Sequence, residues 1–376
     1  MKVKNICKST KLCSGCEACA NACPKNAISM KPDWRGFMYP TINQSLCVDC
    51  KLCQKVCPSN ITDSPKFEFD NAFVFIENNK EYLERASSGG AFGVIARYVI
   101  SRGGIVYGAA MDDDYNVIVK SAETIDELKP MHGSKYVQTI VGMAYREVKD
   151  SLKQGKLVLY CGCPCHIAAL KGFLRKDYDN LITMDLICHG VPSQPYFRAY
   201  VKDLLKREEN QGVTSFRFRY KTKPFASIQP KYSDGTNDEI YVGMYNKDFY
   251  MTYFLWGKGY RDSCYNCRFA GDVRQSDFTI GDYWRNKQNK LPIDVAYGSS
   301  LILANSVKGL KLKRVFDDNG IVINLKSLEE AVGPSGSHLK HPCKTDLRSL
   351  FIYVLYKMLG LRGPKLLFRL EMLRVK

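Results

Sequence analysis

Residues 13–24 read CSGCEACANACP, and residues 47–58 read CVDCKLCQKVCP. Each is C-x-x-C-x-x-C-x-x-x-C-P, so eight of the 16 cysteines in this 376-residue chain fall in two copies of one pattern. In such a run the first three thiolates take corners of one iron–sulfur cube, and the fourth, before proline, reaches across to the other cube. The spacing predicts one 4Fe-4S cluster on Cys13, Cys16, Cys19 and Cys57, and a second on Cys47, Cys50, Cys53 and Cys23. Zinc sites instead use C-x-x-C pairs separated by a longer stretch. A disulfide scaffold belongs to exported chains, and residues 1–10 lack the apolar segment of an export signal. Cys7 lies outside the pattern and takes no role.

Residues 1–62 thus read as a bacterial-type dicluster ferredoxin unit, and 376 residues leave room for one or two further domains. Pro58-Ser59-Asn60 and Asp63-Ser64-Pro65 read as a linker. Beyond it, strand-like and helix-like segments alternate. Strands are expected at Phe73–Ile76, Gly103–Ala110, Val117–Ala122, Lys156–Tyr160, Asn180–Ile187, Asp277–Gly281 and Ser299–Ala304. Helices are expected at Ala91–Ser101, Thr139–Gln154, Cys165–Lys176, Gln194–Arg207, Val307–Phe316 and Ser327–Ala331. Such alternation argues for an α/β domain with a parallel component. Ser215–Tyr220 alternates like a half-exposed strand, and Ser233-Asp234-Gly235-Thr236 reads as a hairpin turn. The fold class expected is a small ferredoxin domain, 1–62, followed by a larger α/β domain, 66–336.

The tail, 343–376, differs. Leu347, Leu350, Phe351, Val354, Leu355 and Met358 recur at helical spacing, and Leu366, Leu367, Leu370 and Leu373 follow, among Arg348, Lys357, Arg362, Lys365, Arg369, Arg374 and Lys376. A basic amphipathic helix either packs on its own domain or lies on an anionic membrane. The formal charge of +17 suits an acidic electron-carrier protein as partner, and no nucleic-acid motif accompanies it. The cysteine usage and the missing export signal point to the cytoplasm.

A second cysteine set sits at strand ends. Cys161, Cys163 and Cys165 follow one expected strand, Cys188 follows the next, and Cys264-x-x-Cys267 lies farther on. Open α/β sheets collect ligands outside the carboxyl ends of their strands. One cysteine from each strand end with the C-x-x-C pair makes four thiolates, enough for a third cubane or a zinc.

Six segments then occur in order: Ser87-Ser88-Gly89-Gly90, Gly133-Ser134-Lys135-Tyr136-Val137-Gln138, residues 162–170 (GCPCHIAAL), residues 188–193 (CHGVPS), Cys264-Tyr265-Asn266-Cys267-Arg268 and Gly281-Asp282-Tyr283-Trp284. Together, from about Ala72 to Gly336, they resemble the beta-subunit family of coenzyme F-420 hydrogenases and dehydrogenases, which includes bacterial homologues in surface-polysaccharide gene clusters. The resemblance implies a larger domain that binds a flavin, FAD or FMN, and a third 4Fe-4S cluster on Cys165, Cys188, Cys264 and Cys267. His166 stands where the family has glutamine, and Cys161 and Cys163 are extra thiols beside the matched ligand. Ser87, Ser88, Gly89 and Gly90, before a helix, are candidates for the flavin phosphates. Lys135 and Tyr136 are candidates for the flavin ring or substrate, and Lys135 and His189 for proton and charge transfer. The function implied is an iron–sulfur flavoprotein oxidoreductase that takes electrons from a ferredoxin or other redox protein and acts on a small organic substrate. The alternative is an electron-transfer subunit with no substrate site.

Overall fold

The computed structural model describes residues 5–61, 71–207, 215–219, 231–233, 247–271, 273–285, 298–333 and 337–374. The linker residues 62–70 and the turn at 234–236 lie outside them. In the N-terminal unit, helices α1 (Ala18–Ala22) and α2 (Leu52–Lys55) carry the middle of each cysteine run, and strands β1 (Ile28–Pro32) and β2 (Met38–Ile42) pair antiparallel. The two runs repeat their backbone as well as their sequence. Gly15 and Glu17 in the first, and Asp49 and Lys51 in the second, all have positive φ. Such left-handed turns aim successive N–H groups into one concavity, which favours an anionic occupant.

The large domain is built on an eight-stranded mixed sheet. Its strands are β3 (Asn71–Glu77), β4 (Ile105–Met111), β5 (Val117–Ala122), β6 (Val158–Gly162), β7 (Leu181–Leu186), β10 (Phe278–Asp282), β11 (Ser300–Ala304) and β12 (Gly320–Leu325). The short pair β8 (Ser215–Arg217) and β9 (Lys231–Ser233) stands apart. The order is β12-β3-β11-β10-β7-β6-β4-β5. β4, β6, β7 and β10 run parallel, and the rest pair antiparallel. The parallel component is therefore present but confined to the centre, with antiparallel strands on both flanks.

Alternation along the strands builds two faces. Val106, Leu159, Ile182, Met184 and Phe278 pack under helix α4 (Ala91–Ile100), which follows the short α3 (Lys80–Arg85), together with Phe316 from a later helix. Ile105, Tyr107, Val158, Tyr160 and Leu181 face helices α5 (Ala144–Lys153) and α6 (Pro164–Leu174). In α5 the buried Ala144, Tyr145, Val148, Ser151 and Leu152 fall on one helical stripe. This helix starts later than its expected Thr139. Ile140 bridges β5 at Ile118, and the N–H groups of Val141 and Gly142 go to the Glu17 carboxylate at 3.2 and 2.9 Å. Ile140 is held in strand pairing, its N–H on the Val117 carbonyl and its own carbonyl accepting from Val119 N–H, both at 2.9 Å, and Gly142 turns with φ +60°, so the helix begins only after them. Among the elements the sequence did not announce are strand β12 and helix α8 (Phe249–Leu255), which is buried almost all round.

The N-terminal unit docks on α5 and α6. Cys16, Ala18 and Val56 share a core with Ile167 and Leu170. A Cβ at Gly172 of α6 would come 2.8 Å from the Val56 carbonyl oxygen, so this approach requires glycine. Arg146 donates to the carbonyls of Asn21 and Cys23 at 2.6 and 2.8 Å. Arg35 forks onto Asp262 at 2.6 and 2.8 Å. Arg268 donates to Ser59 and Ile61 carbonyls, both at 2.8 Å.

Helices α7 (Gln194–Arg207) and α8 hold an aromatic core, with Tyr200 and Tyr250 stacked at 4.6 Å. Further on come α9 (Asp262–Tyr265), α10 (Val307–Asp317), α11 (Leu328–Val332) and α12 (Ser337–Lys340). The tail is a hairpin of α13 (Leu347–Leu359) and α14 (Arg362–Arg374). Ile352, Tyr353, Leu367 and Phe368 pack it onto the aromatic core. Among the described residues no helix is long and apolar enough to cross a membrane.

Candidate functional site

The first cysteine set surrounds one small cavity. Cys13, Cys16, Cys19 and Cys57 all line it, with Cys7, Gly15, Met30 and Pro40. Burial pushes the Cys16 thiol up to about 11. The same cause raises Cys19, which also feels Cys16 and Cys13. Cys57, from the far end of the second run, stands beside Cys16. The second set converges likewise: burial raises Cys53, whose thiol neighbours are Cys50, Cys23 and Cys47. Thiols crowded this way are costly as mutually repelling thiolates unless a cation-rich centre binds them. These residues fit a pair of 4Fe-4S clusters. Cys7, to which the spacing assigned nothing, lies against Cys57 in the first cavity.

The third set is assembled by the sheet. β6 and β7 are adjacent and parallel, so their carboxyl ends bring residues 161–165 beside Cys188. Cys163 Sγ and Cys188 Sγ are 3.8 Å apart. Burial raises the Cys165 thiol well above its ordinary range, and the charges facing it are Cys188, Cys267, Cys16 and Cys264, in that order. Cys264 and Cys267, on and after α9, feel Cys188 in turn. The four thiols named from the motifs are therefore gathered, and Cys163 joins them. Among the described residues no three His, Cys, Asp or Glu side chains converge as ligands of a single metal ion. Cys161 is set apart from the group, near Lys135 and Asp185. Cys343 was not singled out either: its Sγ lies 3.3 Å from the His189 carbonyl, and a lone cysteine in the tail carries no motif to mark it.

A cavity of about 690 Å³ opens next to this set. Its wall runs from Ser87, Ser88, Gly90 and the N-terminus of α4 past Lys135 and Tyr136 to Cys161, Cys163, Cys188 and His189. The size is that of a cofactor or ligand site. Gly89 is not on that wall. Its absent Cβ would lie 2.0 Å from the Phe75 carbonyl oxygen, so this glycine serves the packing of the loop on β3. The serine hydroxyls hold the loop too: Ser87 Oγ accepts from Ser134 N–H at 2.6 Å, and Ser88 Oγ donates to the Ser299 carbonyl at 2.6 Å. Lys135 Nζ donates to the His132 carbonyl at 3.0 Å. Burial, set against the pull of Cys161, brings its amine down to about 7. Tyr136 packs on Phe254 at 4.5 Å. His189 tilts over Phe254 at 5.4 Å, and its Nδ1 meets Tyr260 Oη at 3.0 Å.

Residues 12–61 match the family model of the 4Fe-4S dicluster domain. Residues 155–330 match the family model for the C terminus of the coenzyme F-420 hydrogenase/dehydrogenase beta subunit. The chain joins these two domains. It is an iron–sulfur redox protein related to the F-420 hydrogenase beta subunit, as the ordered motifs implied. No curated protein matches the chain. Among solved structures it is similar to a chain of the xenon-derivatised F-420-reducing NiFe hydrogenase complex from Methanosarcina barkeri. Identity is 15%, the TM-score is 0.50, and the match covers 74% of this chain and 90% of that one. At that identity the likeness concerns the fold: a small ferredoxin-like domain before a larger mixed α/β domain.

Proposed function

We propose that this chain is an iron–sulfur flavoprotein oxidoreductase. Residues 1–62 accept electrons from a ferredoxin-type donor. The body, 66–336, holds a third 4Fe-4S cluster on Cys165, Cys188, Cys264 and Cys267, and a flavin, FAD in this reading, in the large cavity. One observation carries the proposal: the cysteine sets are neighbours, with Cys16 packed against α6, the helix that carries Cys165 in its first turn. Cys16 of the first set faces Cys165, Cys165 faces Cys188, and Cys188 lies on the cavity wall. A bound flavin would supply the exchange between single electrons and electron pairs. The substrate is a small organic molecule or a deazaflavin-type cofactor, and the bacterial relatives in polysaccharide gene clusters suggest an envelope-sugar intermediate. The test is anaerobic preparation followed by iron counting and identification of the released flavin. About twelve irons with FAD support the reading. About twelve irons and no flavin would leave the electron-transfer subunit.

Lys135 and His189 are the residues proposed to manage charge and protons at the cavity. With its amine near 7, Lys135 is charged below that pH and neutral above it. An anion entering the cavity favours the charged form. Binding of flavin mononucleotide should therefore weaken as pH rises above 7, by up to roughly tenfold per pH unit. Fluorescence quenching followed from acid to alkaline pH would show this slope, and Lys135→Met should flatten it.

The tail, 343–376, is proposed to hold the protein at the inner face of the cytoplasmic membrane. The hairpin keeps leucines on its outer side and buries Glu371, which faces Arg348 at 3.6 Å.

A further inference from the structure

Arg261 is the N-cap residue of α9, and it links two of the cysteine sets. Its carbonyl accepts from Cys264 N–H at 2.9 Å. Its side chain extends the other way, into the N-terminal unit. Nε donates to the Cys13 carbonyl at 2.6 Å, Nη2 to the Met38 carbonyl at 2.9 Å, and Nη1 to Gln138 Oε1 at 3.1 Å. Nη2 also donates to Cys13 Sγ at 3.7 Å. The ring of Tyr39 lies 4.2 Å from the guanidinium. Gly15 makes room for the group: a Cβ there would lie 2.9 Å from Nη1.

Arg261 is 0% exposed. Among the described residues no carboxylate forms an ion pair with it. The adjacent Asp262 is taken by Arg35, and the other buried arginine near the thiols, Arg274, faces Asp185. Arg146 also reaches the N-terminal unit, but it donates to carbonyls and to Asn26, not to sulfur. A buried guanidinium without an anion is strongly disfavoured. The surrounding carbonyls satisfy its N–H groups but carry no net charge. Asp262 acts on it only without direct pairing; the sulfur within hydrogen-bond reach is Cys13 Sγ, one corner of the cage assigned to Cys13, Cys16, Cys19 and Cys57.

We propose that Arg261 is the built-in counter-charge of the cluster on Cys13, Cys16, Cys19 and Cys57, and that it raises the reduction potential of that cluster. This inference rests on the cluster assignment above. Reduction adds one negative charge to the cage. A fixed cation and an N–H···S hydrogen bond both favour the more negative state, and net charge and hydrogen bonds to sulfur are known determinants of cluster potential. The position matters because Cys16 of this cage is the thiol that faces Cys165 of the third set. An electron would be held at the cluster nearest the body of the protein. Arg261 acts through the cage and touches no substrate, so it is a positioning residue.

The experiment is an EPR-monitored redox titration of the full-length protein, prepared anaerobically, with Arg261→Gln and Arg261→Lys alongside. In Arg261→Gln one midpoint should fall by at least about 59 mV, a tenfold change for one electron, while the others stay. The signal that moves should be the one lost in Cys16→Ser. Arg261→Lys keeps the charge and should fall by less than half as much. If Arg261→Gln loses the cluster, Arg261→Lys must retain it at near the wild-type potential. An unmoved midpoint with full iron, an equal fall in both variants, or loss of the cluster in both overturns the proposal. A wild-type protein without cluster signals would instead remove the assignment beneath it.

Discussion

Replacing Cys264 and Cys267 together by alanine is expected to lower the iron content from about twelve to about eight atoms per chain. The two N-terminal EPR signals should survive, because their eight cysteines lie within residues 13–57 and share no ligand with the third set. Reduction of the bound flavin by an external ferredoxin-type donor should be lost, since the break falls between Cys16 and the cavity wall. Cys163→Ala should keep all the iron: Cys163 borders both the thiol group and the cavity, but Cys165 takes the fourth corner in this reading. If Cys163→Ala loses four irons and Cys165→Ala does not, the ligand assignment moves from Cys165 to Cys163 and the rest of the reading stands. Unchanged iron in the double variant would remove the third cluster altogether.

The second large effect concerns the tail. On α14, Arg362, Leu366, Arg369, Leu370 and Leu373 lie at exposed positions spaced as one helical stripe, whereas Gly363, Pro364 and Glu371 face inward. An isolated soluble helix would normally do the reverse. Leu366, Leu370 and Leu373 are 54%, 52% and 70% exposed. On α13, Leu347, Leu350, Phe351 and Met358 are exposed as well, and Lys357 Nζ lies 5.9 Å from the exposed ring of Trp34. Leucines with interleaved arginines, and a tryptophan at the edge, match the chemistry of an anionic bilayer surface. Wild-type protein should therefore sediment with phosphatidylglycerol-containing vesicles and be partly released by salt. Replacing Leu366, Leu370 and Leu373 by asparagine removes about 1 kcal/mol of apolar burial at each position. Partitioning should fall by about a hundredfold. Melting should hardly change, because exposed side chains away from packed features contribute within about 0.5 kcal/mol. Wild-type protein left in solution by such vesicles would end the proposal.

Different parts of this site were legible to different degrees. The third set was readable only as a choice among thiols. Cys161, Cys163 and Cys165 stand at alternate positions at one strand end, and nothing local says which of them meets Cys188. The turn into α6 separates them: Cys161 is still on β6 and goes toward Lys135, whereas Cys163 and Cys165, at the start of α6, go toward Cys188. Ser87-Ser88-Gly89-Gly90 was readable as a loop before a helix, but Gly89 is small because β3 presses on it. Helix α5 was placed too early because Ile140 is drawn into pairing with β5 and Gly142 takes a left-handed turn, and neither shows in the local spacing. Strand β12 pairs with β3 across most of the chain's length, so its sequence alone could not show its partner.

Sequence alone determined the two N-terminal cysteine sets, because C-x-x-C-x-x-C spacing places its thiols within one or two turns of chain. Sequence also determined the hydrophobic alternation that specifies the sheet. Only the tertiary structure decided that Arg261 meets Cys13 from 248 positions away, that Cys16 faces Cys165, and that the tail turns its leucines outward. Contacts between distant segments depend on which faces are left over once the core has closed, and no local spacing encodes that remainder.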